Sequence, residues 1–175
     1  MPALIGHTQP CDLLQRHAVN FVAIDRNPQM VMRARQSHPE VYYGNAADAE
    51  FLKACGIDTA PGIIVTVDVA DDLNQIVATV RRLRPDIPIV ARARDAAHAR
   101  QLYGAAVTDA VPETIEASLQ VSEAALVMLG VAMGPAIASI HEKRDEFRRE
   151  LRDAAAAAPA SRPGKTPSWL RKKRL

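Results

Sequence analysis

The chain has 175 residues, 48% apolar, 24% charged and only 4% aromatic, which suits one globular domain and excludes global disorder. Two cysteines, Cys11 and Cys55, exclude a disulfide scaffold or a four-thiolate zinc site and point to a reducing cytosol. The net charge of +2 is uneven: residues 152–175 hold seven Lys or Arg and one Asp, a net +6, while residues 1–151 hold 15 basic and 19 acidic side chains, a net −4.

The first eleven residues lack a basic start followed by a long apolar run, so no secretory signal is expected. From Asn20 the chain alternates short β-branched runs with amphipathic stretches, the pattern of a parallel sheet covered by helices. Asn20–Ile24 reads as a buried strand that stops at Asp25, after which Asn27 caps a helix with Pro28 in its first position. Val41–Tyr43 is the next strand, ended by Gly44-Asn45, and a short helix follows over 48–54. Gly62–Val67 is the third. Asp68 to Asp72 then opens a helix with Leu73, Ile76, Val77, Val80 and Leu83 on its inner side and Asn74, Arg81, Arg82 and Arg84 outside. A strand over 87–91, a helix over 95–103 and a last strand over 106–111 complete the unit.

Residues 112–129 read as a helix apolar on most of its circumference, hence buried on more than one side, either within its own subunit or against a second copy. Glu123 and Gly134-Pro135 interrupt the apolar stretch 117–140, so no transmembrane helix is expected there. A second helix restarts at Gly134-Pro135 and runs to Leu151 with Ile137, Ile140 and Phe147 on one face. The division expected is a Rossmann-like unit over 1–111, a helical extension over 112–151 that offers a dimer contact, and a disordered basic tail over 152–175. The tail's Trp169 and four consecutive cations suit an anionic surface, but no nucleic-acid partner is expected.

Ligands of an open parallel sheet sit beyond the carboxyl ends of its strands, so the residues after each strand carry the information. Asp25 either accepts hydrogen bonds from ribose hydroxyls or begins the turn before the capped helix. Gly44 and Asn45 either let the backbone approach a flat ring or form a plain turn, with a positive φ open to both. Arg92 and Arg94 fall on one side if their strand continues, and either grip a carboxylate or phosphate or pair with Asp95, Asp109 or Glu113. The histidines are scattered, so no catalytic residue is expected; Asp68, Asp71 and Asp72 read as a helix start, so no metal site is expected either.

Phe21-Val-Ala-Ile-Asp25-Arg-Asn-Pro28, Val41-Tyr-Tyr-Gly-Asn-Ala46, Ile63 to Asp68, Ile89-Val-Ala-Arg-Ala-Arg-Asp95 and Val111-Pro-Glu-Thr114 together resemble the RCK, KTN or TrkA-N nucleotide-binding regulatory domain. The Ala-Arg-Ala-Arg-Asp segment with His98 is most similar to the cytosolic domain of Kef-type potassium efflux antiporters, over about residues 12–151. The resemblance implies an α/β Rossmann-like parallel sheet with helices on both faces and extra C-terminal helices. It also implies NAD(H) or AMP as ligands the chain does not require, a homodimer, and attachment to a membrane potassium transporter at the inner face of the membrane. Asp25 and Arg26 would then stand at the adenosine ribose, Gly44, Asn45 and Ala46 near the adenine, and Asp68 beside the nucleotide; Arg92 and Arg94 would receive glutathione.

One departure matters. The family opens with a strand and a Gly-x-Gly-x-x-Gly turn, whereas this chain has Gly6-His-Thr-Gln-Pro10, with one glycine and a proline that removes a donor. The first strand and the glycine turn are therefore expected to be missing or degenerate, as in an N-terminally truncated member, unless Ala3-Leu-Ile5 fills the gap. A non-catalytic ligand-sensing domain of a potassium efflux or cation/proton antiport system, cytoplasmic and with weakened nucleotide binding, is the leading expectation. A nucleotide-dependent oxidoreductase and a binding-incompetent dimerisation remnant are the alternatives.

Overall fold

The computed structural model describes residues 3–6, as backbone, and 11–157. In chain order the elements are β1 (Ala3–Gly6), α1 (Cys11–Arg16), β2 (Phe21–Asp25), α2 (Pro28–Ala34), β3 (Val41–Tyr43), α3 (Ala49–Ala54) and β4 (Ile63–Val65). They continue as α4 (Ala70–Leu83), β5 (Ile89–Ala93), α5 (Ala96–Gly104), β6 (Asp109–Pro112), α6 (Glu113–Met128) and α7 (Met133–Ala157).

All six strands are parallel and lie in the order β3-β2-β1-β4-β5-β6. This is the doubly wound arrangement, in which the chain turns back across the sheet between β1 and β4. Of the two readings of the first strand, absent or filled by Ala3-Leu-Ile5, the second holds: Ala3-Leu-Ile5 pairs with Phe21-Val-Ala23, and Leu4-Ile-Gly6 pairs with Ile63-Ile-Val65. Backbone pairing needs only extended residues between two partners, so a four-residue apolar segment suffices even where the turn after it has lost its glycines.

Side-chain alternation divides the core between the two faces of the sheet. Phe21, Ala23 and Val41 join Cys11 of α1 and Val31 of α2 in a small cluster. Ile24, Ile63, Val65, Ile89 and Ala91 join Leu52 of α3, Leu73, Val77 and Val80 of α4 and Leu102 of α5 in the larger one. The helices thus cover both faces. Local signals set their starts: Asn27 Oδ1 accepts from the Gln29 and Met30 amides, Asp48 from Glu50 and Phe51, and Asp95 from His98.

Four expectations need correction. Helix α1 begins nine residues before the first strand read from the sequence, where no periodic signal marked it. Arg81 is no outward-facing solvated charge: its guanidinium donates to the carbonyls of Ala106 (2.7 Å) and Ile87 (2.6 Å) and ties α4 to the loops that precede β6 and β5. Helix α7 continues to Ala157, because the alanine run after Leu151 has the highest helix propensity, so the non-helical tail expected from 152 is wrong as far as 157. The rest of that tail, with Trp169, lies outside the described residues, as do residues 7–10.

The fourth concerns α6. Of its residues only Leu119 is buried in the single chain. Val121 is 70% exposed and Met128 79%, and Leu129, Met133 and Ile137 continue the open apolar surface into the turn and α7. The sequence marks this helix for burial on several sides, and one copy supplies little of it.

Candidate functional site

A cleft of about 330 Å³ opens beyond the carboxyl ends of β2, β3 and β4. Ile24, Asp25, Arg26, Asn27 and Met30 line it from the first side, Gly44 and Ala46 from the second, and Val67, Asp68, Val69, Asp72 and Ile76 from the third. Its size falls within the ~300–1,000 Å³ common for small-molecule sites. Its position follows from the fold, since strand ends and helix starts converge there in any doubly wound sheet.

Asp25, Arg26, Gly44, Ala46 and Asp68 therefore come together in one cleft. Asp25 ends β2, and its Oδ1 accepts from the Asn27 amide at 2.8 Å. That bond fixes the carboxylate while Asn27 caps α2, so the turn-forming role and a place on the cleft wall coexist. Arg26 Nη1 donates to Asp72 Oδ2 at 2.8 Å, an ion pair between two cleft-lining residues on opposite sides. Asn45 sits beside the cleft without lining it, its Oδ1 accepting from the Ala47 amide at 3.1 Å.

Gly44 has a reason the sequence left open. Its φ is not positive, and a Cβ there would lie 2.1 Å from Phe51 Cζ. The flat ring that needs this glycine is the chain's own Phe51, which packs against the main core.

Arg92 and Arg94 do not form a shared pair. Arg92 bonds Asp68 and, at 2.9 Å, Glu113 at the start of α6. Strand β5 stops at Ala93, so the alternation that would have aligned the two arginines ends, and Arg94 bonds the neighbouring Asp95 at 3.1 Å. Asp109, another acid considered for them, instead receives Arg148 and Arg152 from α7. Asp95 accepts the His98 amide and then the Arg94 side chain, which together hold its carboxyl below the usual 3.8.

Sequence reasoning missed Met30, Val69, Asp72 and Ile76 as cleft residues. Asp72 and Ile76 stand four residues apart on α4, a spacing that puts both on one side of the helix that follows Asp68; that signal is in the sequence. Cys11 is fully buried, and burial with the nearby Asp12 charge pushes its thiol up to about 11; burial also raises Cys55. Neither thiol has the low pKa of a nucleophile. Among the described residues no three His, Cys, Asp or Glu side chains gather as a metal site would require, and no helix is long and apolar enough to cross a membrane.

By their chemistry these residues could hold an adenosine moiety: the Asp25 carboxylate, fixed by the Asn27 amide, belongs to the wall, apolar Ile24, Met30, Val67 and Ile76 line the rest, and Arg26 follows the acid. The dinucleotide's diphosphate has less to meet, since Gly6-His-Thr-Gln-Pro10 lacks the glycine pattern.

Comparison with known proteins bears on the family and the fold. The chain is 32% identical over 121 residues to the putative potassium efflux antiporter KefB of Alkalimonas amylolytica; the match spans 67% of this chain and 18% of that relative. The Kef CTD of Shewanella denitrificans in its AMP-bound form superposes with a TM-score of 0.74 at 25% identity, covering 90% of this chain and 98% of that one. The GsuK channel bound to NAD shares the fold, with a TM-score of 0.63 at 24% identity over 69% of this chain and 23% of its own. The TrkA-N domain model matches residues 8–113, from α1 through the sixth strand to the first residue of α6, and the chain belongs to the TrkA-N domain family.

Proposed function

We propose that this chain is the regulatory, ligand-sensing domain of a potassium efflux system of the cation/proton antiport type, acting at the cytoplasmic face of the membrane and carrying no catalytic activity of its own. The observation that carries the reading is the cleft, where the acid ending β2 faces the Gly44 turn and Asp68 within one TrkA-N frame. The AMP-bound Kef relative, matched over nearly its whole length, supports the same placement.

In this reading Asp25 accepts both ribose hydroxyls of an adenine nucleotide, AMP or NAD(H), while Ala46 and the apolar walls cover the base. Charge-assisted hydrogen bonds contribute about 1.5–3 kcal/mol each, so Asp25 supplies a large part of the affinity. The missing glycine amides make binding weak, by roughly a few kcal/mol, and favour the mononucleotide. The exposed apolar surface of α6 and the start of α7 joins two copies into a homodimer. Arg94, 75% exposed with one acidic partner, is the guanidinium open to an anion such as glutathione; Arg92 would first have to leave two carboxylates.

The test is a thermal-shift and calorimetric titration with AMP, NADH and glutathione on the native chain and Asp25→Ala. Binding of a nucleotide that the substitution weakens about a hundredfold supports the assignment. Nucleotide binding undiminished in Asp25→Ala refutes the site, and no binding at all would leave a remnant that only dimerises.

A further inference from the structure

Beyond the adenosine cleft, and resting on that reading of it, we propose that Arg92 is a positioning residue that couples occupation of the cleft to the seating of α6. Asp68 belongs to the cleft wall, and Glu113 is the first residue of α6. One guanidinium joins them: a terminal nitrogen of Arg92 bonds Asp68 and its other terminal nitrogen lies 2.9 Å from Glu113 Oε1. The Arg92 side chain is 24% exposed, whereas Asp68 is 76% and Glu113 51% exposed, so both arms are open to water on the carboxylate side and each is weak enough to exchange. One turn further along α6, Glu116 receives Arg144 of α7 at 2.9 Å. A chain of charges thus runs from the ligand cleft to both C-terminal helices.

Helix α6 is well placed to respond. Pro112 precedes it and gives no side-chain cap, so the acids of its first turn, Glu113 and Glu116, meet the helix's positive end, Glu113 at its very first residue. Leu119 is the one residue of the helix buried in the single chain. An element with so little burial sits at the low end of local stability and shifts for a small change in free energy.

The direction follows from sharing. With no ligand, Arg92 divides its attraction between Asp68 and Glu113. A nucleotide whose ribose hydroxyls go to Asp25 still carries the adenine amino group as a donor, and recruiting Asp68 through it weakens one arm and lets the guanidinium close on Glu113, which tightens the start of α6. By linkage, whatever holds α6 in that seat raises ligand affinity by the same factor. Because α6 carries the exposed apolar face, occupancy of the cleft is thereby transmitted to the surface that a second copy would meet.

Hydrogen exchange of the full chain with and without saturating AMP tests this, with the Glu113→Gln and Glu116→Gln variants in parallel. AMP is expected to slow exchange at residues 117–120 by about threefold or more in the native chain and in Glu116→Gln, which lacks only the contact to α7. In Glu113→Gln, AMP is expected to bind within about tenfold of the native affinity while the slowing disappears. Equal slowing in Glu113→Gln, loss of slowing in Glu116→Gln alone, or AMP binding to the native chain with no change in α6 would overturn the coupling and leave the cleft assignment standing. Failure of the native chain to bind AMP in calorimetry would overturn both.

Discussion

Replacing Gly44 with alanine puts the cleft's packing logic to a quantitative test. The added Cβ would stand 2.1, 2.4 and 2.6 Å from three atoms of the Phe51 ring. Ordinary carbon contacts lie near 3.5–4.0 Å, so the ring must withdraw by roughly 1.5 Å from the core it packs against. Overpacking of this size costs about 1–3 kcal/mol. Backbone strain adds nothing, because Gly44 does not have the positive φ seen at Gly56 and Gly130. Phe51→Ala alone removes a partly buried ring and costs roughly 2 kcal/mol. In that background the alanine at 44 meets open space and becomes neutral or slightly stabilising, by about 0.4–1 kcal/mol, since it restricts the unfolded chain. Urea denaturation of both single variants and the double variant should give a coupling of about 1–3 kcal/mol, with the double variant much more stable than the sum of the singles implies. Additivity within about 0.5 kcal/mol would refute the assignment of Gly44 to the Phe51 ring.

Other outcomes follow from single contacts. Arg81→Met strips donors from the Ala106 and Ile87 carbonyls and should lower stability by about 3 kcal/mol in the same denaturation assay. Ala106→Gly should raise stability by roughly 1 kcal/mol, because φ at Ala106 is +62° and glycine relieves that strain. Cys11, its thiol raised to about 11, should resist alkylation in the folded chain while half-buried Cys55 reacts first, and both should react in urea; mass spectrometry of the labelled peptides reads this directly. The Asp95 carboxyl titrates below its ordinary 3.8 when folded, so its charge stabilises the fold above that value and the gain is lost as pH falls through the folded value. The difference between native and Asp95→Asn midpoints should therefore be fully present at about pH 6 and shrink as the pH falls below the ordinary carboxylate range, and a gap that stays constant into acid would contradict this account.

Much of the fold was legible because its signals are local. Asn27-Pro28, Asp48 and Asp95 mark helix starts through groups that bond amides two or three residues away, and each does so. Leu73, Ile76, Val77 and Val80 have the spacing of a buried helical stripe, and all four are buried. What was not legible depends on partners distant in sequence. Arg81 looks solvated until β5 and the turn at Ala106 come within reach of it, 25 residues away in the hydrogen-bonded pair. Gly44 looks like a turn or a ligand contact until α3 swings Phe51 over it. For the cleft, the three loops that line it are legible, and so is Glu113 as one acid for Arg92; its second partner, Asp68 in the loop after β4, is not, and both arms are needed to see the bridge.

The four residues of β1 show why membership of a fold and competence for a ligand separate under different physical demands. A central parallel strand must only be extended and pair on both sides, and Ala3–Gly6 does so in register with β2 and β4. Any short apolar run meets that demand, and without it β2 and β4 would each present an unpaired edge in the middle of the sheet. A diphosphate cradle demands more, namely several backbone amides converging where a side chain would obstruct them, and so glycines at fixed spacing. Substitution after Gly6 can therefore remove the phosphate contacts while the order β3-β2-β1-β4-β5-β6 survives intact. In the proposed reading the ribose end belongs to a different part of the chain, Asp25, whose Oδ1 is fixed by the Asn27 amide. On the proposed reading, a first turn without the glycine pattern leaves the adenosine part of a nucleotide to supply most of the binding, and AMP and NADH are expected to bind with similar affinity. A strong preference for NADH in competition calorimetry would show that residues 7–10 supply donors of their own and would refute this separation.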